Sequence, residues 1–467
     1  MNGADFSLSP VPALQHNAAG KGRGLTAATM LTVYIVLLLA VPSAATIGPL
    51  GGIGRPALLW GLVLLFWWVL SRLQLRGLDA VPVSQPVRFG FAVLLVVILV
   101  SFAAAMLRGQ PADQVSPAMT ALIRTASWGG VLLVAMDGIR THDDASKLVR
   151  RLTLAAGVLA TFGLLQFVTG QTLLDWVGTI PGIILEDGGV SARGSFTRAS
   201  GTAIHPLEYG TVVVATLPLA IAAAVTRGFR GAASRVGWLW WLPVVVIIVA
   251  ALVAISRSAI IGLAVAAVAS LPAIPKKARA WVVVGGGVVA VGVLIAVPRL
   301  LGTLVGLFAG ASDDPSTQSR TNALARVPEF IASSPVIGQG FGTFLPRYYI
   351  FDDGWVLLVV ELGILGAVAF AALVLASLWS ALWAARSSSF EDTKAMSKAL
   401  AATLLTVVVL FAFFDGLSFP MSAGYFFLVV GLTAAMRTIA AADVELVAAT
   451  ERASRSFVER GELRGRP

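Results

Sequence analysis

The chain has 467 residues, of which 57% are apolar and only 12% are charged, and its mean hydropathy is +0.86. A soluble globular protein carries about 25% charged residues, so this composition excludes an ordinary soluble domain. The net charge of +10 does not indicate nucleic-acid binding, because the cations lie in loops beside long apolar runs.

Cysteine is absent, which excludes disulfides, thiolate metal sites and cysteine nucleophiles. Three histidines (His16, His142 and His205) are too few and too scattered for a histidine-rich metal site. We therefore expect neither a metal site nor another cofactor. Residues 1–24 are polar and lack the apolar region and cleavage site of a signal peptide, so we expect a disordered cytoplasmic tail there.

Apolar runs of about 20 residues, the length that crosses a bilayer as a helix, follow one another along the chain. They predict an all-α polytopic membrane protein of about twelve spans. The predicted spans are residues 25–45, 48–70, 88–106, 119–139, 152–169, 205–225, 237–255, 258–274, 280–298, 354–385, 399–415 and 420–440.

Lysine and arginine set the predicted orientation, since cytoplasmic loops carry an excess of both. With the N-terminus inside, 24 of the 34 cations fall on inner segments, so both termini are expected in the cytoplasm. We expect one transmembrane domain over residues 25–440, with long outer loops at 170–204 and 299–353. Residues 441–467 are expected to form a second cytoplasmic tail.

The ten cations on the outer segments are all arginine, and no lysine is among them. Arginine grips phosphate or carboxylate with two parallel hydrogen bonds and stays charged when partly desolvated. The pattern favours an outer anion site over a mere topology signal. These residues are Arg55, Arg108, Arg124, Arg193, Arg198, Arg257, Arg299, Arg320, Arg326 and Arg347.

A first polar stretch, Arg193 to Tyr209, stands at the mouth of the sixth span. It contains Arg193 and Arg198, followed by His205 and Glu208. Such a stretch either anchors the helix at the membrane interface or forms an anion-binding loop with a polar helix start, and both interpretations stay open here.

Two single arginines lie beside or inside apolar spans. Arg257 separates two nearly continuous spans, as a snorkelling residue of a tight outer turn or as an anion ligand. Arg124 lies a few residues into the fourth span and needs a carboxylate or a phosphate, unless it snorkels outward. Asp415, at the outer end of the eleventh span, is a candidate partner for an arginine.

The second polar stretch, residues 319–353, carries Arg320, Arg326 and Arg347. Apolar residues recur within it at helical spacing, which predicts a short amphipathic helix on the membrane surface. A turn-rich segment then follows. The apolar stripe is Leu324, Val327, Phe330 and Ile331, and the turn residues are Pro335, Gly338, Gly340 and Gly342.

An acidic pair, Asp352 and Asp353, ends this stretch and is either a solvated loop end or a general base beside the arginines. Glu361 lies about two turns inside the following apolar helix, where a carboxylate must be paired or protonated. Gly363 and Gly366 are expected to permit close helix packing.

Together these motifs, in this order along most of the chain, resemble the bacterial O-antigen ligase and polymerase superfamily. Each motif is loose, and their joint order carries the resemblance. The segments that carry it are residues 201–209 (GTAIHPLEY), 256–258 (SRS), 319–320 (SR), 333–344 (SSPVIGQGFGTF) and 361–366 (ELGILG).

The resemblance implies a metal-independent, inverting, multi-span glycosyltransferase with a large outer loop between spans 9 and 10. It implies transfer of an oligo- or polysaccharide from an undecaprenyl diphosphate carrier to a sugar hydroxyl of a glycan or glycolipid acceptor. The reaction would take place on the outer face of the bacterial inner membrane. Outer arginines would hold the diphosphate and stabilise its developing charge, and the candidates for this role are Arg193, Arg198, Arg257, Arg320, Arg326 and Arg347.

One departure concerns the base. Ligases of this superfamily have a histidine where this chain has Asp352 and Asp353, counting back from Gly363. Asp352 or Asp353 substitutes as base, His205 serves instead, or the chain is a polymerase-like member. Ligase and polymerase both remain open.

Two other classes compete with a transferase. A polysaccharide or lipid transporter or flippase would need several mid-membrane charges and usually repeat symmetry. The sequence has mainly Glu361 and, marginally, Arg124, and no clear repeat. A structural scaffold would leave the arginine-bearing outer loops unexplained.

Overall fold

The computed structural model describes residues 25–74, 83–186, 188–193, 196–229, 237–309 and 315–464. The predicted tail at residues 1–24 lies outside these ranges, as does the side chain of Arg193. The described ranges contain fifteen α-helices, named here in chain order. They are α1 Ala27–Leu39, α2 Pro56–Gln74, α3 Pro86–Leu107, α4 Ala112–Gly138, α5 His142–Thr169, α6 Pro206–Ala215, α7 Leu217–Val225, α8 Trp241–Val253, α9 Arg257–Ser270, α10 Lys276–Ala296, α11 Leu300–Ala309, α12 Pro315–Ile331, α13 Gly354–Ser387, α14 Glu391–Leu410 and α15 Pro420–Arg464.

The helices confirm an all-α polytopic membrane protein. Within the described ranges, nine are long and apolar enough to cross a membrane, α6 and α7 counting as one. Three shorter apolar helices lie over Ala27–Leu39, Gly237–Val253 and Arg257–Ala273. Every one of the twelve predicted segments overlaps one of these helices. Helix α15 continues to Arg464 and so makes most of the predicted C-terminal tail helical.

The described residues include four short strands, which lie in the loops between helices. Strand β1 (Ala45–Ile47), after α1, pairs antiparallel with β2 (Ile183–Leu185), so that Thr46 faces Ile184. Strands β3 (Ser191–Arg193) and β4 (Phe196–Arg198) form a second antiparallel pair. The predicted outer loop 170–204 is therefore tied to the α1–α2 connection.

The core lies where α4 packs against α2 and α15, and where α13 packs against α3, α14 and α15. Trp128 of α4 stacks on Phe427 of α15 with 5.0 Å between the ring centres. Helix α10 is different: Trp281 and Ile295 are each 79% exposed. Apolar surface of this extent is stable only against lipid or a partner, as expected for a span at the edge of the bundle.

The bundle has two chemically different ends. Asp137, at the end of α4, accepts hydrogen bonds from Arg72 and Arg88. We call this the basic end. The first turns of α4 lie about 30 Å away, at 1.5 Å per residue, at what we call the site end. The basic end carries the loops that the sequence predicts to be cytoplasmic.

The amphipathic helix predicted within residues 319–353 is present as α12, but its apolar side packs on protein. Val327, Phe330 and Ile331 contact a small core that contains Phe344 and Val360. Leu324 is exposed, and Ala323 takes its place in the packed stripe. The packed stripe is therefore shifted by one position, because the partner of α12 is the start of α13 and the glycine-rich turn.

A break in α13 receives that glycine-rich turn. Gly363 has φ 69° and ψ −171°, outside the helical region. The amides of Gln339 and Gly340 donate to the carbonyls of Val360 and Glu361, at 3.0 and 2.9 Å. Beyond the break, Ile364 and Leu365 donate back to the carbonyls of Pro335 and Val336. Residues 335–340 thus satisfy the backbone groups that the broken helix frees.

This arrangement corrects the expectation that Gly363 only allows close helix packing. A Cβ atom there would lie 2.2 Å from the carbonyl oxygen of Val336. The backbone conformation is one that only glycine adopts readily. Residues 333–340 (SSPVIGQG) and 361–366 (ELGILG) therefore pack as one unit, which we call the glycine-rich joint.

We expect Gly363→Ala to lower the free energy of unfolding by about 3 kcal/mol, from backbone strain and the clash with Val336. Thermal unfolding in detergent measures this. Gly285→Ala in α10 is the control, because a Cβ there meets nothing within 4 Å. It should be neutral or gain up to about 1 kcal/mol of helix propensity. Equal stability of both variants would contradict the close contact between Gly363 and Val336.

Candidate functional site

A cavity of about 640 Å³ opens at the site end, beside Gly52 of the α1–α2 connection, where five further segments meet. They are the first turns of α4, the start of α6, residues 341–352, the first turns of α13 and the α14–α15 turn. Most of its lining is apolar or aromatic. The charged or titratable side chains that line it are Arg124, His205, Tyr349, Asp352, Glu361 and Asp415.

Arg124 projects into this cavity from α4. Glu186, Asp415 and Glu361 attract it electrostatically, and Arg55 repels it. Within the described residues, its guanidinium makes no hydrogen bond or ion pair. A guanidinium in a cavity with free donors is a ready binding site for a phosphate or a carboxylate.

Most other outer arginines are held by the protein itself. Arg55 donates to Glu186 at 2.5 Å, and Arg108 donates to the carbonyl of Gly338 at 2.9 Å. Arg326 pairs with Glu329 at 3.3 Å and lies over the ring of Phe330. These contacts fix loops, so the predicted substrate-binding role of Arg326 gains no support from its position.

Arg347 and Arg257 lie outside the cavity lining as well. Arg347 forms an ion pair with Asp113 at the start of α4 and donates to the hydroxyl of Tyr348 at 2.7 Å. It fastens the loop that follows the glycine-rich turn. Arg257 is the first residue of α9, whose Ala259 lies against Gly210 of α6. It is therefore at the site end.

Asp352 and Asp353 have different surroundings. Asp353 caps α13: its carboxylate accepts the amides of Trp355 and Val356, at 2.9 and 3.2 Å. Asp352 lines the cavity, half-buried. Burial raises the pKa of the Asp352 carboxyl, and the positive charge of Arg320 partly offsets this. Of the two predicted bases, Asp352 is the one with access to a substrate.

Arg320 positions Asp352 from behind the cavity. Its Nε atom donates to the Asp352 carbonyl at 3.3 Å, and a terminal nitrogen donates to the Phe413 carbonyl at 2.8 Å. It therefore links α12 to the two cavity-lining segments that carry Asp352 and Asp415. This supports a structural role beside the predicted role in binding.

His205 lines the cavity as the N-cap of α6, where its Nδ1 atom accepts the Leu207 amide at 3.2 Å. Burial, and then the nearby charge of Arg198, lower the pKa of His205 to about 4. The ring is therefore neutral at pH 7, with its hydrogen on Nε2. It can donate a hydrogen bond into the cavity, but it is poorly suited to the predicted role of base.

Glu208 is fully buried and lies outside the cavity lining. Its carboxylate accepts the amides of Met421 and Ile204, at 2.6 and 3.0 Å, and the hydroxyl of Ser43 at 3.2 Å. It joins the start of α6 to the start of α15. Its predicted supporting role is thus a structural one.

Glu361 supports the cavity wall. Its Oε1 atom accepts the amides of Gly342 and Phe344, at 3.0 and 3.3 Å, which holds the glycine-rich turn against α13. Because Glu361 also lines the cavity, its carboxyl group and the guanidinium of Arg124 share one cavity.

Asp415 lies in the α14–α15 turn. Burial raises the pKa of Asp415 to about 6, although hydrogen bonds from Ser418 and the charge of Arg124 lower it. Its predicted arginine partner is thus identified as Arg124 by electrostatic attraction. Among the described residues, no group of three or more His, Asp or Glu side chains has a geometry that holds a metal ion.

Sequence reasoning left Arg124 out of the candidate site, and this residue is the main addition from the structure. The available signal was its depth in an apolar span, which demands an anionic partner. Arg198 of the first polar stretch does not line the cavity, although it acts on His205 through its charge. The predicted role of Arg193 falls on a side chain outside the described residues.

A comparison with protein families bears on what this cavity does. Residues 242–371 match the family model described as O-antigen ligase. This matched segment, here called the O-antigen ligase domain, is similar to that family. The family predicted from the sequence is thereby confirmed, and with it a place in polysaccharide biosynthesis at a membrane. A search of the curated proteins found no match.

The matched residues run from α8 into α13. They include Arg257, Arg320, the glycine-rich joint, Asp352 and Glu361. The cavity needs more than this domain, since Arg124, His205 and Asp415 lie outside the match. The O-antigen ligase domain thus forms one wall of the cavity, and α4, α6 and the α14–α15 turn form the rest.

The raised pKa of Asp415 predicts how the stability of the fold changes with pH. A carboxyl whose pKa rises from 3.8 to about 6 on folding stabilises the fold while it is protonated, and this is lost as the pH rises through about 6. The loss is about 3 kcal/mol. Asp415→Asn should therefore unfold at a higher temperature than wild type at pH 8, and at about the same temperature at pH 4. Thermal unfolding at both pH values checks this; a destabilised variant at pH 8 would contradict it.

Proposed function

We propose that the protein transfers an oligo- or polysaccharide from a polyprenyl diphosphate carrier to a sugar hydroxyl of an acceptor. The observation that carries the proposal is one cavity that holds two groups: the guanidinium of Arg124, which has no partner among the described residues, and the half-buried carboxylate of Asp352. The O-antigen ligase domain supports the reaction class.

In this proposal Arg124 binds the diphosphate of the donor. The leaving diphosphate gains negative charge as the bond between its oxygen and the anomeric carbon breaks. A fixed guanidinium in a site sheltered from water stabilises that charge more than water does. The same positive charge supplies what a metal ion supplies in other phosphate sites, so the proposed mechanism is metal-independent.

Asp352 accepts the proton of the acceptor hydroxyl. The acceptor oxygen then forms a bond to the anomeric carbon while the carbon–oxygen bond to the diphosphate breaks and its electron pair leaves with the phosphate. Attack from the face opposite the diphosphate inverts the anomeric centre. Arg320 holds the Asp352 backbone, and His205 donates a hydrogen bond from Nε2 to a sugar or phosphate oxygen.

The proposed topology places the site end on the outer face of the inner membrane. The nine long and three shorter apolar helices of the described residues support twelve crossings. An even number of crossings places both termini on one side, here the cytoplasm. The cations of the basic end support this orientation through the positive-inside rule. The donor's lipid tail would then lie between spans while its diphosphate reaches the cavity.

The glycan profile of a strain that lacks this gene tests the proposal. Loss of a polymerase leaves single unlinked repeats, whereas loss of a ligase leaves long chains that are not attached to an acceptor. Either profile, restored by the wild-type gene, supports the proposal. An unchanged profile of every surface glycan contradicts it.

A further inference from the structure

We propose that a second cavity, at the basic end, binds the phosphate headgroup of an anionic phospholipid. The cavity has a volume of about 520 Å³. It lies where the end of α7, the turn between α9 and α10, and the start of α14 meet. Lys398 lies about 18 Å along α14 from the end of that helix at Leu410, and Asp415 of the transfer cavity lies beyond this end, so the two sites are separate.

Cations outnumber acids in the lining of this cavity. Its five cations come from three separate segments of the chain, and its two acids, Glu391 and Asp392, come from one. Glu391 already pairs with Lys394 at 2.8 Å. The other four cations therefore face the cavity with one free carboxylate among the lining residues. The cations are Arg227, Lys276, Arg279, Lys394 and Lys398.

Of the four cations that do not pair with Glu391, two are partly buried, which distinguishes them from an ordinary surface charge. Arg279 donates from Nε to the carbonyl of Ile274 at 3.1 Å, which fixes its guanidinium, and the described part of the chain supplies no acceptor for its other donors. Lys398 lies two turns into α14 and, within the described residues, makes no hydrogen bond or ion pair. A partly buried ammonium beside a cavity is stabilised by an anion in that cavity.

A neighbouring cavity favours a lipid over a soluble phosphate. It has a volume of about 530 Å³ and is lined by Trp238 and Trp241. Arg227 lines both this cavity and the basic cavity. Trp238 is 67% exposed. Tryptophan at the end of a span marks the headgroup level of a bilayer, and basic pockets between spans on the cytoplasmic side suit anionic headgroups. A phosphate at Arg227 would leave an acyl chain beside the two tryptophans.

The test measures binding of phosphatidylglycerol to the purified full-length protein, by mass spectrometry of the protein–lipid complex, with phosphatidylcholine as the neutral comparison. Each cation near a membrane surface contributes about fivefold to the binding of an anionic lipid. We expect the double variant Arg279→Gln, Lys398→Gln to bind phosphatidylglycerol about thirtyfold more weakly, with phosphatidylcholine unchanged. Arg279→Lys with Lys398→Arg keeps the charge and should keep binding.

Arg140→Gln is the matched control. Arg140 is exposed at the same end, donates to the Asp137 carbonyl and does not line the cavity. The proposal is overturned if Arg140→Gln loses as much phosphatidylglycerol binding as the double variant, or if the double variant binds this lipid as well as the wild type. Glycerol phosphate that displaces the lipid completely at micromolar concentration would identify a soluble phosphate ligand and overturn the lipid assignment. None of these readouts depends on glycan transfer.

Discussion

Asp352→Asn is expected to slow glycan transfer by about 10²- to 10⁴-fold, because general-base catalysis contributes this much and an amide accepts no proton. The half-buried side chain lines the cavity, so the isosteric change should leave folding intact. Transfer rates with purified protein, a lipid-linked donor and a saturating acceptor measure the effect.

The pH dependence of transfer separates a base from a structural residue. Asp352 must be ionised to accept a proton, so the wild-type rate should rise with pH through the pKa of this carboxyl. Burial raises that pKa, and the acid limb should therefore lie above the ordinary value of 3.8. Asp352→Asn should lack the limb.

The neighbouring residue provides the control. Asp353→Asn should retain most activity, because the Asp353 carboxylate accepts hydrogen bonds from the Trp355 and Val356 amides and so caps α13. Asparagine caps a helix about as well as aspartate. Full turnover by Asp352→Asn, or an equal loss in both variants, would remove Asp352 as the base.

Arg124→Gln should lower the transfer rate by about 10²- to 10³-fold, the usual effect of removing one fixed donor that stabilises developing charge. Arg124→Lys should recover only part of this, since lysine keeps the charge but cannot grip phosphate with two parallel hydrogen bonds. Steady-state kinetics with varied donor would show both a higher KM for the donor and a lower kcat.

Arg326→Gln is the control for this series. Arg326 is an exposed arginine at the site end that pairs with Glu329 and does not line the cavity. It should transfer glycan at nearly the wild-type rate. If Arg326→Gln were as slow as Arg124→Gln, general positive charge would explain the effect better than a specific phosphate contact.

The order of the apolar segments was predictable from the sequence, because span length and apolar character are local properties of the chain. The identity of the anion-binding arginine was not. Ten outer arginines look alike in sequence, and their partners come from distant segments. Arg55 meets Glu186, and Arg347 meets Asp113, only after the loops fold against each other.

The glycine-rich joint could not be predicted from the sequence for the same reason, since its two segments meet only in the folded chain. Gly363 at a helical spacing from Gly366 resembles a packing motif, and only the approach of residues 335–340 makes Gly363 a break. The acidic pair behaves similarly. From the sequence alone, Asp352 and Asp353 are equally good candidates for the base. In the structure, the carboxylate of Asp353 caps α13, whereas that of Asp352 lines the cavity.

The most direct test is a reconstituted assay with the purified full-length protein in liposomes, a labelled glycan on polyprenyl diphosphate, and a glycan acceptor. The wild-type protein should form a new glycosidic bond and release free polyprenyl diphosphate, and Arg124→Gln and Asp352→Asn should do neither at a comparable rate. Movement of the labelled lipid across the membrane without any new glycosidic bond would contradict a transferase and identify a flippase.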